Sequence, residues 1–399
     1  MNVCRAVIGV FALTAAVLLP ASTHAGEPEL DVAALVAEVD QRRISEHIAA
    51  IDEPRSIFDA EIAQLHATTD YLFTELGDLG YDVERDEVRF QGRWRNADHD
   101  VTSDNLIAIK EGFQCAERIF VVGAHYDSVP GSPGADDDAS GTAGMLEIAR
   151  VLADVDLPAT VWFTGFTMEE PGLVGSQKMA RDAAANDAEI AGMMSLEMIG
   201  FTDPAIGSEF IVVIGNDASA PLLNAVEQAK SYVPDLPIVA LTAAGNGESS
   251  PDTRRSDHAP FWDAGYQALL VTDTANFRNP NYHQPSDTLD TLDLPFATNV
   301  TKAMLATTVL HLTRDDDNDG EADVCTAPLA ATATPAASPA VSATPPAQPT
   351  ATPSRAGVTL PDTGSGGSSN GNWFVVGGSL AAATALLVGG WIALKRRAA

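Results

Sequence analysis

An α/β fold with a largely parallel central sheet covered by helices is what this 399-residue sequence predicts, and three observations point to it. Between about Ile44 and Thr313, short apolar runs alternate with stretches of helical periodicity. Ionisable residues follow three successive apolar runs, where open α/β sheets hold their ligands, beyond the carboxyl ends of the strands. Hydrophobic residues make up 45% of the chain, ample for a buried core.

The apolar runs place strands at 118–123, 159–164, 190–196, 210–214 and 268–271. Met145, Ile148, Ala149 and Leu152 fall at i, i+3, i+4 and i+7, so 140–153 reads as an amphipathic helix with its apolar stripe on the sheet. Leu222, Val226 and Ala229 do the same for 220–233, and Ala303, Ala306, Thr307 and Leu310 for a final helix. No internal repeat is visible.

Charge narrows the partners. With 23 Lys and Arg against 55 Asp and Glu, the formal net charge is −32, which argues against nucleic acid or anionic lipid. The three cysteines, Cys4, Cys115 and Cys325, are too few for a disulfide scaffold and form no CxxC pair, so any metal must use His and carboxylates. Outside a reducing cytosol Cys115 and Cys325 could form one disulfide.

Both ends suggest export. A short basic start, an apolar run from Ala6 to Leu19 and small residues before Gly26 read as a signal peptide over 1–25, followed at 26–43 by an N-terminal segment or propeptide. Near the other end, Asp315, Asp317, Asp319 and Asp323 stand at the alternating spacing of a calcium loop within 314–325, without a closing Glu. Residues 326–359 form a stalk rich in Pro, Thr and Ala. Leu360 to Gly364 reads LPDTG and precedes an apolar span at 373–394 and a basic tail, Lys395 to Arg397. That order resembles a sortase sorting signal over 360–399, which implies membrane residence before processing, sortase as a partner, and attachment to the cell wall.

The chemistry lies between. His125 and Asp127 sit two apart on extended chain and share a side, so Asp127 can take the second imidazole N–H of a ligating His125. Asp136, Asp137 and Asp138 repel one another and are better accounted for with cations than without, although the sequence does not choose a ligand among them. Glu169 and Glu170 diverge as neighbours, so one can bind a metal while the other moves a proton. Glu197 ends the third apolar run, and His283 lies in a turn ahead of the last helix. His258 reads as a helix start or a supporting residue. His47, His66, His99 and His311 read as structural or surface residues.

In order, these motifs resemble the zinc exopeptidases of the bacterial leucyl aminopeptidase and glutamate carboxypeptidase type. The patterns GxHxDS, PGADDDASG, EExGLxGS, SDHxxFxxxG and YHxxxDT run from His125 to Asp287. The resemblance implies a single-domain three-layer sandwich over 44–313 holding two zinc ions, with Asp137 bridging, His125 and Glu197 on one ion, and Glu170 and His283 on the other. It also implies Glu169 as general base, with Asp127 counted among the catalytic residues as the partner of His125, and hydrolysis of peptide bonds, most simply as an aminopeptidase. Relatives with a separate dimerisation domain carry Glu where the aminopeptidases carry Asp, as Glu197 does here. That feature points to a carboxypeptidase-type enzyme, but those relatives insert the extra domain between the last two ligands, and here only 283 − 197 = 86 positions separate them. A non-catalytic adhesion module and a single-zinc glutaminyl cyclase are the remaining alternatives.

Overall fold

A computed structural model describes residues 30–328. The expected signal peptide, nearly all of the stalk and the sorting signal with its apolar span lie outside the described residues. The helices are α1 Val32–Ala37, α2 Gln41–Ile51, α3 Ile62–Asp78, α4 Gly141–Leu152, α5 Val174–Ala185, α6 Ala220–Ala229, α7 His258–Asp263, α8 Leu294–Thr313 and α9 Asp323–Thr326. The strands are β1 Asp82–Trp94, β2 Ala97–Lys110, β3 Cys115–His125, β4 Ala159–Phe166, β5 Glu189–Glu197, β6 Ile211–Gly215, β7 Ile238–Thr242 and β8 Ala268–Thr272.

All eight strands form one mixed sheet in the order β1-β2-β4-β3-β5-β8-β6-β7. Its centre, β4-β3-β5-β8, is parallel, while β1 and β2 on one side and β6 on the other run antiparallel to their inner neighbours. The central strands are covered on both faces, which is why they read as unbroken apolar runs. Alternation assigns the faces. Val121, Met193 and Leu270 join the cluster formed by Met179 of α5 and Phe261 and Trp262 of α7. Phe120, one residue before Val121, meets His311 of α8 on the opposite face. Helix α4 lies on that second face with α2 and α8 beside it, and α6 packs on α8, so the fold is the expected sandwich of three layers.

The long β1–β2 hairpin was not expected. Its turn, Arg95 and Asn96, has φ of 43° and 67°, the left-handed pair that a two-residue hairpin requires, with Arg where Gly or Asn is usual.

Two boundaries differ from expectation. The folded body starts at α1, not at residue 44, because Val32 and Val36 bury against α8, and the Asp40 backbone N–H donates to Glu147 Oε1 at 2.7 Å. The acidic segment at 314–325 also folds back onto the domain: the Asp323 N–H donates to the Arg314 carbonyl at 2.7 Å and the Ala322 N–H to Gln114 Oε1 at 3.0 Å. Cys115 and Cys325 are disulfide-bonded, with Cα atoms 5.6 Å apart across 210 residues of sequence. Closing so long a loop removes up to about 5 kcal/mol of unfolded-state entropy. Cys325→Ser is therefore expected to shift urea unfolding to clearly lower concentration; an unchanged midpoint would show that the α8–α9 packing holds this end without the bond.

The bond also has a position. Cys115 opens β3 and His125 closes it, so the disulfide lies at the opposite end of that strand from His125. Among the described residues no helix is long and apolar enough to cross a membrane.

Candidate active site

Parallel pairing brings the functional ends of the strands together. His125 pairs with Phe166 at the end of β4, and Glu197 with Thr272 at the end of β8, so the segments that follow them share one rim of the sheet. There His125 Nε2 stands 3.2 Å from Asp137 Oδ1 and 3.5 Å from Glu197 Oε2. His283 Nε2 stands 3.2 Å from Asp137 Oδ2 and 3.3 Å from Glu170 Oε2. The result is two donor triads sharing Asp137, one carboxylate oxygen turned to each. All five residues expected as metal ligands are thus brought together.

The donor set fits zinc. Donors about 2.1 Å from a tetrahedral centre stand roughly 3.4 Å apart, close to the four separations above. In addition, His125 Nε2, Asp137 Oδ2 and Glu170 Oε1 are buried without a hydrogen-bond partner, an arrangement that is costly unless a cation meets them.

The structure separates the three aspartates that the sequence left equivalent. Asp136 accepts from the Gly200 N–H at 2.9 Å and from Asn279 Nδ2 at 2.7 Å. Asp138 accepts from the N–H groups of Met198 at 2.9 Å and Gly141 at 3.1 Å. Both therefore tie the loop to the chain beyond β5, leaving Asp137 turned to the histidines. Asp287 completes the cradle by accepting the Asp136 and Asp137 N–H groups at 3.0 and 3.2 Å. The peptide between Asp137 and Asp138 is cis. Gly134 opens the loop at φ 65°, where an added Cβ would collide with the Asp137 carbonyl oxygen.

Asp127 is placed differently from expectation. Its two carboxylate oxygens accept the backbone N–H groups of Glu169 and Glu170 at 2.9 and 3.2 Å. His125 Nδ1 meets the Asp127 backbone carbonyl at 3.1 Å and its carboxylate only at 3.5 Å. Asp127 thus fixes the Glu169–Glu170 corner as well as the imidazole. Glu197 Oε2 accepts from Ser256 Oγ at 2.8 Å.

One supporting residue gave no sequence signal. Arg55 is fully buried and donates to the backbone carbonyls of Tyr126 at 2.6 Å, Ile51 and Gly134 at 2.9 Å, Glu53 at 3.3 Å, and also Pro133. Its partners are backbone atoms from separate segments, so no motif marks it. Its charge also faces Asp127, Asp287, Asp137 and Asp138, offsetting part of their repulsion.

The electrostatics follow. Burial would raise the Asp137 carboxyl, but the two imidazoles overcome it and hold it well below the usual range. Burial drives Glu169 well above the ordinary glutamate value; His125 opposes this, while Glu170, Glu197 and Asp257 add to it. Asp257 is pushed by burial up to about 7. His258 opens α7 and directs Nε2 to the Thr253 carbonyl at 2.8 Å, and burial lowers it to about 3. It is no part of the triads.

Away from this rim, Asp315, Asp317 and Asp323 bring carboxylate oxygens within 4.8 Å of one another. Asp319 stands outside that group and accepts the Glu321 N–H at 2.8 Å.

Residues 105–308, just over half of the chain, match the profile of peptidase family M28. The aminopeptidase YwaD of Bacillus subtilis is 33% identical over 201 residues, covering 47% of this chain and 40% of that protein. An uncharacterized Escherichia coli protein, YfbL, is 35% identical over 204 residues, covering 44% of this chain and 61% of its own length. The chain therefore spans about half the length of these curated relatives. Among solved structures, the aminopeptidase from Aneurinibacillus sp. strain AM-1 superposes with a TM-score of 0.56 at 18% identity, covering 70% of this chain and 95% of that one. These likenesses concern sequence and fold.

Proposed function

The chain belongs to peptidase family M28, and from that premise we propose that it is a surface-displayed di-zinc exopeptidase, most simply an aminopeptidase. What carries the reading is the pair of donor triads sharing Asp137, with Glu169 at their edge. His125, Asp137 and Glu197 would hold one ion, and Asp137, Glu170 and His283 the other. Bound zinc lowers the proton affinity of water and polarises a carbonyl.

The chain's own residues do the rest. Glu169 takes the proton from the attacking water and returns it to the leaving amine, acting as base and then acid. Asp127 keeps that carboxyl at a fixed place by holding its backbone N–H and that of the neighbouring ligand. Asp136, Asp138 and Asp287 hold the loop so that Asp137 can face both histidines. An adhesion module would have no use for a proton-moving Glu169 beside two triads, and a single-zinc cyclase would leave one triad unexplained.

A peptide-library digest read by mass spectrometry tests the activity. Trimming from the amino end, abolished by chelator and restored by zinc, is expected; trimming only from the carboxyl end would replace the aminopeptidase label, and no cleavage of any peptide would remove the function.

Display rests on the signal-like start and on the LPDTG sequence before an apolar span and basic tail. Cell-wall fractionation checks it, and recovery of the chain only from the cytoplasm would contradict it. Calcium at Asp315, Asp317 and Asp323, with Asp319 beside them, is a separate part of the proposal. It predicts a higher melting temperature on adding calcium and fails if calcium leaves that temperature unchanged.

A further inference from the structure

Arg255 occupies an unusual position for a cation in so acidic a chain. Its neighbour Arg254 forms a paired contact with Asp263 at 2.7 and 2.9 Å, the ordinary fate of a surface arginine here. Among the described residues, the one ion pair of Arg255 within 4 Å is with Asp252, at 3.8 Å. Its hydrogen bonds go instead to neutral groups: Nη1 donates to Asn276 Oδ1 at 2.9 Å and Nη2 to Tyr282 Oη at 2.8 Å. Two of its five N–H donors are used in this way, and the side chain stays 41% exposed.

The two contacts also hold it in place. Tyr282 precedes His283 and stacks on it, with ring centroids 3.7 Å apart. The guanidinium is therefore tied, through Tyr282, to one of the donor triads. It lies within electrostatic reach of Glu197 and Glu169. Arg255, Tyr282 and Glu197 line one cavity of about 1430 Å³, which continues over the apolar strand residues Val212, Ile214 and Leu270. A peptide reaching the triads through this cavity would pass a fixed cation with spare donors. The group that such a cation binds best is a carboxylate, through charge-assisted hydrogen bonds.

We propose that Arg255 is the specificity-determining contact for a substrate carboxylate, so that the preferred substrates are short peptides carrying a negative charge close to the scissile bond. This rests on the peptidase reading above and deepens it. The carboxylate has two sources, the free C-terminus of a di- or tripeptide or an acidic side chain, and both present the same chemistry to Arg255.

Calorimetry on the zinc-loaded Glu169→Gln protein tests the contact without turnover, using Leu-Ala, Leu-Ala amide and Leu-Glu amide. With Arg255 present, at least one of the two carboxylate-bearing peptides is expected to bind roughly 10- to 100-fold tighter than Leu-Ala amide, the range for a hydrogen bond to a charged group. Preference for Leu-Ala assigns the C-terminus; preference for Leu-Glu amide assigns the side chain. Adding Arg255→Met should erase the preference, and Arg255→Lys should restore part of it. Equal binding of all three peptides to the Arg255-containing protein overturns the proposal, as does a preference that survives Arg255→Met. Failure of the peptidase reading would look different: the preference would persist while the unsubstituted protein hydrolysed none of the three.

Discussion

Glu169→Gln is expected to keep its zinc and to lose about 100- to 10,000-fold in kcat, the contribution of a positioned general base and acid. The substitution preserves size and removes the ability to accept a proton. None of the four donor separations that define the triads involves Glu169, so the metal complement should not change. The loss should fall on kcat more than on KM, because the group acts on the reacting water rather than on the bound peptide. Steady-state kinetics beside a metal assay would check both halves. If the variant instead loses zinc while the remaining loaded fraction turns over normally, the roles of Glu169 and Glu170 are reversed.

Asp137→Asn should be more damaging still. One oxygen of Asp137 faces His125 and the other faces His283, so this is the residue common to both triads. The amide keeps one oxygen, replaces the other with a donor, and removes the negative charge that both cations would share. The expected outcome is activity below detection together with a metal content well under that of the parent. Zinc-linked stability should fall too, since a ligand bound at about 100 times its Kd contributes about 2.7 kcal/mol per site. Calorimetric melting with and without chelator would read this: the parent should lose stability on chelation and the variant should barely respond. A variant that holds a full complement of zinc would show that Asp137 is not the bridge.

Much of this site could be read before any fold was known, because buried parallel strands and metal donors both leave strong marks in sequence. The runs at 118–123, 159–164, 190–196 and 268–271 correspond to β3, β4, β5 and β8, strands that are apolar because both faces are covered. The expected helix at 140–153 is α4, Gly141–Leu152; the one at 220–233 ends earlier, at Ala229, and closes in a tight turn over Lys230–Tyr232. The long hairpin stayed hidden for a physical reason. β1 reads Asp82-Val-Glu-Arg-Asp-Glu-Val-Arg, mostly charged, since much of it is exposed and its bonds are made by backbone atoms. Edge strand β7 is short and half-exposed.

The supporting residues divide in the same way. Asp287 lay in a visible motif, and the structure adds what it holds, the two N–H groups of the aspartate loop. Arg55 was invisible because its partners are carbonyls of Ile51, Glu53, Tyr126, Pro133 and Gly134, and any residue supplies a carbonyl. Choosing Asp137 from three identical neighbours needed either a family pattern or the hydrogen bonds that occupy Asp136 and Asp138. The start of the folded body at α1 leaves little mark in the sequence because α1 is six residues long, too short to show a convincing period.

The most direct test of two ions sharing one carboxylate is a metal count on the purified chain, made beside His125→Ala and His283→Ala. Two zinc ions per parent chain and one in each variant are predicted, because each histidine belongs to a single triad. One zinc in the parent, lost completely in one variant and untouched in the other, would contradict the account.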